Sequence, residues 1–354
     1  MRYVDRGVDT LDPEPETFCG ECPIAPKTWE RPYPMYRKDK QKWSLMMPAQ
    51  TKHYEKAVRA WMKGEYGWAV PMSGALRFEA EFSSPRPTTR RVGEIYAPVK
   101  PDIDNFARSF LESIDFKSIT AEGTRLGVVD QRQPIVAMSL SKRWSESDEW
   151  PGTRFSFSHD GAPGVLFSDY LYGAQTFETS DKPLIARASR RRFDDLGDAP
   201  EWHAQRLDFA PVPWKEPILY GDKMGTKSDV QTWQRRTRNA IASGYGMRKP
   251  MDGPLMLELE VVCSEMDKRY RNQWLILVDY AKSLMDSFDY HAKTTDGRTL
   301  GLIENDSRVV GLTASLRKTH DQEEPHMAFA VYPCLGKSDI GAMFDHIETG
   351  YIEW

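Results

Sequence analysis

An internal repeat is the feature that most constrains the fold of this chain of 354 residues. The segment 102–138 aligns without a gap to 276–312, at an offset of 174 residues, and nine of the 37 aligned pairs are identical. About two identities would be expected by chance at average residue frequencies. Because a repeat of this length constrains the whole architecture, we predict two tandem copies of one structural unit.

Each copy carries the same predicted order of helices and strands. Apolar side chains recur at helical spacing at five aligned positions of each copy, which predicts an amphipathic helix in both: Phe106, Ala107, Phe110, Leu111 and Ile114, and Tyr280, Ala281, Leu284, Met285 and Phe288. Alternating and β-branched segments predict strands, and two further helices precede the amphipathic ones: strands 74–82, 134–142, 153–158, 206–214, 253–261, 308–318 and 326–332, and helices 51–63 and 229–243.

These elements define the fold class and divide the chain into segments. Each copy is predicted to be a β-α-β-α-β-β unit of the α+β class on a mixed sheet, and the two tandem units are predicted to pack as a pseudo-dimer. We divide the chain into an irregular N-terminal extension, the first copy, a linker or insertion, the second copy, and an acidic and aromatic tail: 1–45, 46–158, 159–205, 206–334 and 335–354. The tail is expected to be a docked segment or a short partner-binding peptide.

The charge of the chain gives no general sign of nucleic-acid binding. The formal net charge is -4 and the isoelectric point is about 6.0, so DNA contacts would have to come from local basic patches. Apolar runs such as 274–278 are far short of the roughly 20 residues of a membrane span. The first residues are acidic and do not resemble a signal peptide. We therefore expect a cytoplasmic protein with no membrane partner.

Four cysteines are too few for a disulfide scaffold and fit a reducing compartment. Cys19 and Cys22 form a lone CxxC, while Cys263 and Cys334 lie in apolar, strand-like surroundings. A structural zinc site usually shows a second pair of ligands at close spacing. We therefore expect free thiols rather than zinc at Cys19 and Cys22.

Acidic residues flank the amphipathic helix. Asp102 and Asp104 stand two residues apart immediately before it, and their carboxylates can converge on one divalent ion where the chain turns into the helix. The alternative role of this pair is helix capping. Asp130 and Asp306 lie in the turns that follow the helix, one in each copy, and the alternative for Asp306 is an ordinary turn residue.

The order of these residues resembles the RusA family of Holliday junction resolvases. The resemblance rests on Lys100, the D-x-D-N sequence at 102–105, Arg108 one helical turn later, and the turns at 127–130 and 301–310. Proteins of that family are small, homodimeric, Mg2+-dependent endonucleases of phage and prophage origin. The resemblance therefore implies two RusA-like copies, branched or junction DNA as substrate, Mg2+ or alternatively Mn2+ as cofactor, and a bacterial or phage-infected host cell. A further oligomer or a phage replication partner is an additional expectation.

The resemblance also implies roles for individual residues. Four acids are implied as metal ligands, of which the first three are also catalytic: Asp102, Asp104, Asp130 and Asp306. Arg108 occupies the position of a family lysine and would contact the scissile phosphate as a further catalytic residue. Five basic residues would hold the DNA backbone by counterion release: Arg86, Arg90, Arg91, Lys100 and Lys142.

Neither copy carries the complete family pattern. In the first copy the position of the third carboxylate is Arg132, and in the second copy the D-x-D positions are Ile276 and Val278. We therefore predict one full or hybrid site. Asp130 is favoured over Asp306 as the acid that completes it, because Asp130 belongs to the same copy as the aspartate pair.

Three classes of function follow from this mixture of matches and departures. The first is a Mg2+-dependent, structure-selective endonuclease of branched DNA, active in phage recombination, replication or packaging. The second is a catalytically decayed DNA-binding or replisome-accessory protein on the same scaffold. The third is a protein-interaction subunit that no longer binds DNA.

Overall fold

The structure is a computed structural model that describes the following residues: 2–4, 17–67, 69–88, 96–98, 100–114, 118–120, 125–130, 134–146, 149–159, 197–220, 223–246, 248–264, 275–293, 299–320 and 322–334. Several predicted features lie outside the described residues, namely most of the linker, the tail 335–354, and Arg90, Arg91 and Arg132. The proposed segment boundaries remain predictions.

The described residues form strands and four α-helices in an alternating order. The helices are α1 (Ala49–Tyr66), α2 (Ile103–Ser113), α3 (Ser228–Tyr245) and α4 (Ile276–Met285). The strands are β1 (Arg2–Val4), β2 (Thr17–Cys22), β3 (Tyr33–Arg37), β4 (Lys42–Met46), β5 (Leu76–Ser84), β6 (Ser118–Thr120), β7 (Arg125–Leu126), β8 (Ile135–Trp144), β9 (Gly152–His159), β10 (His203–Leu207), β11 (Ile218–Tyr220), β12 (Lys223–Gly225), β13 (Leu255–Cys263), β14 (Asp289–Lys293), β15 (Thr299–Gly301), β16 (Val309–Lys318) and β17 (His326–Pro333). Within the described part of the chain, no helix is long and apolar enough to cross a membrane.

A mixed eight-stranded sheet organises the molecule, with the order β10-β17-β13-β16-β8-β5-β9-β2. The central pair β16 and β8 is antiparallel. The strand directions are the same on both sides of this pair. β13 is parallel to β16 and β5 is parallel to β8, while β17 is antiparallel to β13 and β9 is antiparallel to β5. The outermost strands β10 and β2 are again antiparallel. The predicted α+β class with a mixed sheet is confirmed.

The register of the central strands repeats the offset found in the sequence. Ser139 pairs with Thr313, which is its aligned counterpart in the repeat. Two residues away on one side, Ala137 pairs with Ser315, and two residues away on the other side, Ser141 pairs with Gly311. At the offset of 174, Ala137 corresponds to Gly311 and Ser141 to Ser315, so the two pairs are related by a two-fold rotation. An approximate two-fold axis therefore passes through the Ser139 and Thr313 pair. The tandem duplication remains a prediction, and this register is the observation that supports it.

The middle of the sheet is covered by helices α2 and α4, which also contact each other. Both helices are apolar toward β8 and β16, and their buried side chains join one hydrophobic cluster that spans both halves. In the first half Phe78 stacks on Phe157 with ring centroids 4.8 Å apart. The burial of this apolar surface fixes the N-terminal ends of the two helices, and with them the residues of the candidate site, relative to the sheet.

Strand β2 marks a difference from the predicted irregular extension. Residues 17–22 pair with β9 at the end of the large sheet, and residues 33–46 form the hairpin of β3 and β4. The strand alternates exposed and buried side chains, with Phe18 and Cys22 in the core. The prolines on both sides of this short segment hide the alternation in the sequence. The initial strand of the second half is likewise observed at 203–207 rather than at 206–214.

A charged clasp occurs at the same place in both halves. Arg143 contacts Glu81, with 2.9 Å between Nε and Oε1, and also donates to Glu149. The aligned residues repeat this arrangement in the second half: Arg317, Glu260 and Glu323. These ion pairs connect the end of each central strand to its parallel neighbour and to the turn that follows the central strand.

Candidate functional site

The aspartate pair lies at the start of α2, where the peptide bond between Lys100 and Pro101 is cis. Asp102 occupies the N-cap position, yet its side chain makes no capping hydrogen bond. Its Oδ2 accepts a hydrogen bond from Asn105 Nδ2 at 3.2 Å, and its Oδ1 is buried and receives no hydrogen bond from the described residues. Helix capping therefore does not account for the Asp102 carboxyl group.

Asp306 from the second half comes next to Asp102. It opens a short 3-10 helix, Asp306–Arg308, directly before β16. The turn itself is capped by Asn305, whose Oδ1 accepts a hydrogen bond from the amide of Ser307 at 2.9 Å. Because Asn305 fills the structural role in this turn, the carboxyl group of Asp306 is left to face Asp102.

The protonation behaviour of the two acids shows how closely they interact. The pKa of Asp102 is raised to about 7, chiefly by burial and also by the charges of Asp306 and Asp104, against the opposing effect of Lys142 and Lys282. Burial and Asp104 also raise the pKa of Asp306, while a hydrogen bond with Asp102 opposes this. Carboxylates so close together retain a proton unless a cation neutralises them.

Two buried lysines bind this acidic group. Lys282 of α4 donates from Nζ to Asp104 Oδ2 at 3.0 Å and to Asn105 Oδ1 at 3.3 Å. The side chains of Lys282 and Asp104 are only 7% and 3% exposed. Burial lowers the pKa of Lys282, but Asp104 and Asp286 outweigh burial and the pKa is raised. The charge of Asp104 is therefore balanced by a residue of the other half.

The second lysine, Lys142 of β8, connects the two acidic turns. Its Nζ donates to the carbonyl oxygen of Pro101 at 3.0 Å and to that of Ser307 at 2.6 Å. Each of these carbonyls lies next to one of the facing acids, Asp102 and Asp306. Burial lowers the pKa of Lys142 to about 8, against the effect of the surrounding carboxylates. Lys142 therefore holds the Asp102 and Asp306 backbones at a fixed separation.

A cleft of about 360 Å³ leads to Asp306 from the protein surface. It is lined on one side by Arg31 and by Arg238 of α3. Arg238 donates to the backbone oxygen of Asp286 at 2.9 Å, and Arg31 lies 3.9 Å from the carboxylate of the same residue. The cleft thus brings two cations and the acids Asp286 and Asp306 to one surface, and cations beside metal-binding acids are the arrangement expected where a phosphate group approaches a metal.

The residues fit a divalent cation held by two carboxylates. Among the described residues, no three His, Cys, Asp or Glu side chains are arranged as a metal cage. Mg2+ needs only one or two carboxylates, however, and keeps several of its water ligands. Asp102 has a buried oxygen without a hydrogen-bond donor, and Asp306 faces it. This pair, rather than a larger cluster, is the candidate metal site.

Arg108 does not join this site, contrary to the sequence prediction of a contact with the scissile phosphate. Its Nη1 donates to Asp279 Oδ1 at 2.6 Å, and its Nε donates to Glu112 Oε1 at 2.9 Å. The guanidinium lies 4.5 Å from the ring centroid of Trp29 and 4.8 Å from that of Trp214. Two acids and two indole rings thus hold Arg108 in the interior, where it is 5% exposed.

Other predicted residues take different positions. Lys142 is fully buried and contacts the two turns described above, and its contact with the DNA backbone remains a prediction. Lys100 is exposed and Arg86 is half-buried, with its Nε 3.3 Å from the carbonyl oxygen of Ser145. Asp130 is half-buried, and its amide donates to the carbonyl oxygen of Met72 at 2.8 Å.

The acids that act on Asp102 are Asp306 and Asp104. The sequence favoured Asp130 as the completing acid, whereas these charges favour Asp306. Asp130 instead matches Glu304 of the second half, because both amides donate to the carbonyl of a methionine in the preceding segment. The choice between Asp130 and Asp306 as metal ligand remains to be tested by mutation.

The CxxC motif lies within β2, where Cys19 is exposed and Cys22 is buried in the core. Residues three apart in a strand point to opposite faces. Burial raises the pKa of Cys22 to about 11, which disfavours the thiolate form needed for zinc binding. This geometry does not fit a shared zinc ion.

Sequence reasoning missed Lys282, Arg31 and Arg238. Lys282 could have been found, because it aligns with Arg108 and is the lysine that the family pattern requires. Finding it requires combining the aspartates of the first copy with the lysine of the second copy. Arg31 and Arg238 lie in segments without a motif, so the sequence contains no comparable signal for them.

Comparison with known proteins supports this assignment for part of the chain. Residues 23–123 match the family model described as Endodeoxyribonuclease RusA. The match includes α1, β5, α2 and the aspartate pair, and it covers less than a third of the chain. The predicted resemblance to the RusA family is confirmed for this region, and an endodeoxyribonuclease of the Holliday junction resolvase type is the class of protein it supports. No curated protein matches the chain.

Proposed function

We propose that this protein is a Mg2+-dependent, structure-selective endonuclease of branched DNA, with Mn2+ as an alternative cofactor. The observation that carries the proposal is the half-buried pair of Asp102 and Asp306, two interacting acids of which Asp306 lines a cleft. A role in phage recombination, replication or packaging belongs to the same proposal and rests on the resemblance alone.

Asp102 and Asp306 would hold the metal, which supplies an activated water and neutralises charge on the phosphate when bound. Asp104 is oriented by its ion pair with Lys282. This ion pair fixes the first turn of α2 and so the direction of the Asp102 side chain. Asp104 is therefore proposed to position Asp102 as well as to add negative charge to the site.

The cations around the cleft would receive the DNA backbone. Arg31 and Arg238 line the approach to Asp306 and are placed to contact the phosphate next to the cut. Lys100, exposed directly before the aspartate pair, would contact a neighbouring phosphate. Arg86 and the residues Arg90 and Arg91 remain predicted contacts farther along the strand.

A second candidate function is favoured by a specific observation. Lys282 already neutralises Asp104, so only two of the three neighbouring acids are available to a metal. A scaffold that binds branched DNA without cutting it would tolerate this loss. The alternative is therefore the DNA-binding or replisome-accessory protein on a decayed nuclease scaffold.

A cleavage assay separates these functions. The full chain is incubated with a labelled four-way junction, or with a linear duplex of the same sequence, in Mg2+, Mn2+ or EDTA. Metal-dependent nicks in the junction that disappear in Asp102→Asn support the nuclease, provided that the purified variant gives the same circular dichroism spectrum. A gel shift without nicks supports the accessory protein. Neither nicks nor a shift would support an interaction subunit that has lost DNA binding.

A further inference from the structure

We infer that one chain holds a single active site, and that it therefore cuts one strand of a junction in each binding event. The inference rests on the proposed function and specifies its product. Its basis is the approximate two-fold axis between the halves, which relates the candidate site to a second position at the start of α4.

That second position has lost the acids of the first. The residues aligned with Asp102 and Asp104 are Ile276 and Val278, which are 2% and 1% exposed and belong to the hydrophobic core. A divalent ion requires oxygen ligands and does not bind to an apolar helix start. The residue aligned with Asp306 is Arg132, whose side chain carries no carboxylate to offer.

The scaffold around the second position is nevertheless retained. The amide of Trp29 donates to the carbonyl oxygen of Asn105 at 3.3 Å, and the amide of Trp214 donates to that of Asp279 at 2.9 Å. Asn105 and Asp279 are aligned in the repeat. The two helix starts thus keep equivalent backbone contacts while only one of them keeps metal ligands.

Arg108, the cation that contacts the second position, has a structural role. Lys282 reaches across the axis to Asp104 and Asn105, whereas its counterpart Arg108 reaches across to Asp279. Trp29 and Trp214 pack at a centroid distance of 5.6 Å and enclose this guanidinium. A buried ion pair between two rings leaves no opening for a phosphate group.

One active site has a defined chemical consequence. Each hydrolysis adds one water across one P–O bond of the DNA, giving one phosphate end and one hydroxyl end. Separation of a four-way junction into two duplexes needs two such cuts in strands related by two-fold symmetry. A chain with one site therefore releases a nicked four-way junction, and the second cut requires rebinding or another chain.

The test counts the cuts made in one binding event. An immobile four-way junction carries a different fluorophore on each of two opposing strands and is bound in tenfold excess over the full chain. Mg2+ is then added together with excess unlabelled junction, which captures any chain that dissociates. A denaturing gel measures nicked strands, and a native gel measures duplexes released by paired cuts. A resolvase with two active sites provides the positive control for paired cuts.

We expect nicked strands of either colour on the denaturing gel, with less than about a tenth of the cut junctions released as duplexes. Asp102→Asn should abolish all nicking, because the described residues at the start of α4 keep no metal ligands that could supply the remaining half. Duplex release from most cut junctions, or half of the wild-type nicking in Asp102→Asn, would overturn the inference while leaving the nuclease function intact. Absence of any nicking by the wild-type chain in Mg2+ and Mn2+ would overturn the proposed function and the inference together.

Discussion

The facing acids lead to a prediction in which loss of function accompanies a gain in stability. We expect Asp306→Asn to abolish Mg2+-dependent nicking and to raise the thermal stability of the metal-free protein at pH 8. The reason is that Asp306 is the strongest of the charges that raise the pKa of Asp102. Its removal eliminates a repulsion that Lys142 and Lys282 compensate only in part.

The magnitude follows from the pKa of Asp102. Its ordinary value of 3.8 rises to about 7 in the folded protein, which corresponds to a folding cost on the order of 4 kcal/mol at about 1.4 kcal/mol per pH unit. Burial is the largest cause and persists in the variant. Asp306 is the second cause after burial, so its removal should return ~1 kcal/mol of this cost, or about 1 °C in Tm for a chain of this size.

The pH dependence gives the sign of the effect. The pKa of Asp102 is higher in the folded than in the unfolded protein. The contribution of Asp102 to the free energy of unfolding is therefore fully present below pH 3.8 and is lost as the pH rises through about 7. The gain in Asp306→Asn should therefore be present at pH 8 and nearly absent at pH 4.5. Mg2+ should stabilise the wild type at pH 8 by mass action and should have little effect on the variant.

Thermal unfolding at pH 4.5 and pH 8, in EDTA and in Mg2+, measures these differences. Asp130→Asn is the matched control, because it removes an acid from the corresponding turn of the first half, two residues before the position aligned with Asp306, and should leave nicking and the Mg2+ response unchanged. The reasoning is refuted if Asp306→Asn unfolds at a lower temperature than the wild type at pH 8 and keeps its Mg2+ response. Loss of nicking only in Asp130→Asn would move the metal site into the first half.

Three further substitutions test separate parts of the structure. Asp102→Asn should abolish nicking in the junction assay while gel-shift affinity stays equal or increases, because repulsion of phosphate falls; nicking at the wild-type rate would contradict the assigned metal ligand. Asp279→Asn removes one of the two acids that hold Arg108 and leaves Glu112, and urea titration at pH 8 should show a loss of about 2 kcal/mol in unfolding free energy; a loss below about 1 kcal/mol would show that the pair is not structural. Glu323, whose pKa is held at about 2 chiefly by a hydrogen bond from Arg317, contributes stability above pH 4.5 that disappears toward pH 2. Urea titrations of Glu323→Gln should therefore differ from the wild type at pH 7 and converge with it at pH 2.5, and an equal difference at both values would argue against this ion pair.

The sequence predicted the central part of the fold closely because two copies could be compared. The strands predicted at 134–142 and 308–318 are observed as β8 and β16, and the helix before each of them is α2 or α4. In these segments local periodicity and tertiary burial favour the same structure. The short strand at 17–22 was missed because its pairing with β9 comes from distant contacts that a local pattern does not contain.

The candidate site was predicted only in part, for a related reason. The chemistry of Asp102 and Asp104 is local and was visible as a motif. The proximity of Asp306 and Lys282 depends on how the halves meet across β8 and β16, which the alignment of the copies alone does not give. Arg108 was misassigned because a motif shows which residue type stands at a position and not which acid it faces.

The antiparallel pairing of β8 with β16 has a consequence for the chain when it is divided. Each half alone would expose an edge strand, with the backbone donors and acceptors of Ala137–Ser141 or Gly311–Ser315 left open in the middle of an apolar sheet. Such an edge promotes aggregation unless the missing strand is supplied. In the intact chain the partner strand is always present at the high effective concentration of a tether, so assembly does not depend on how much protein the cell contains.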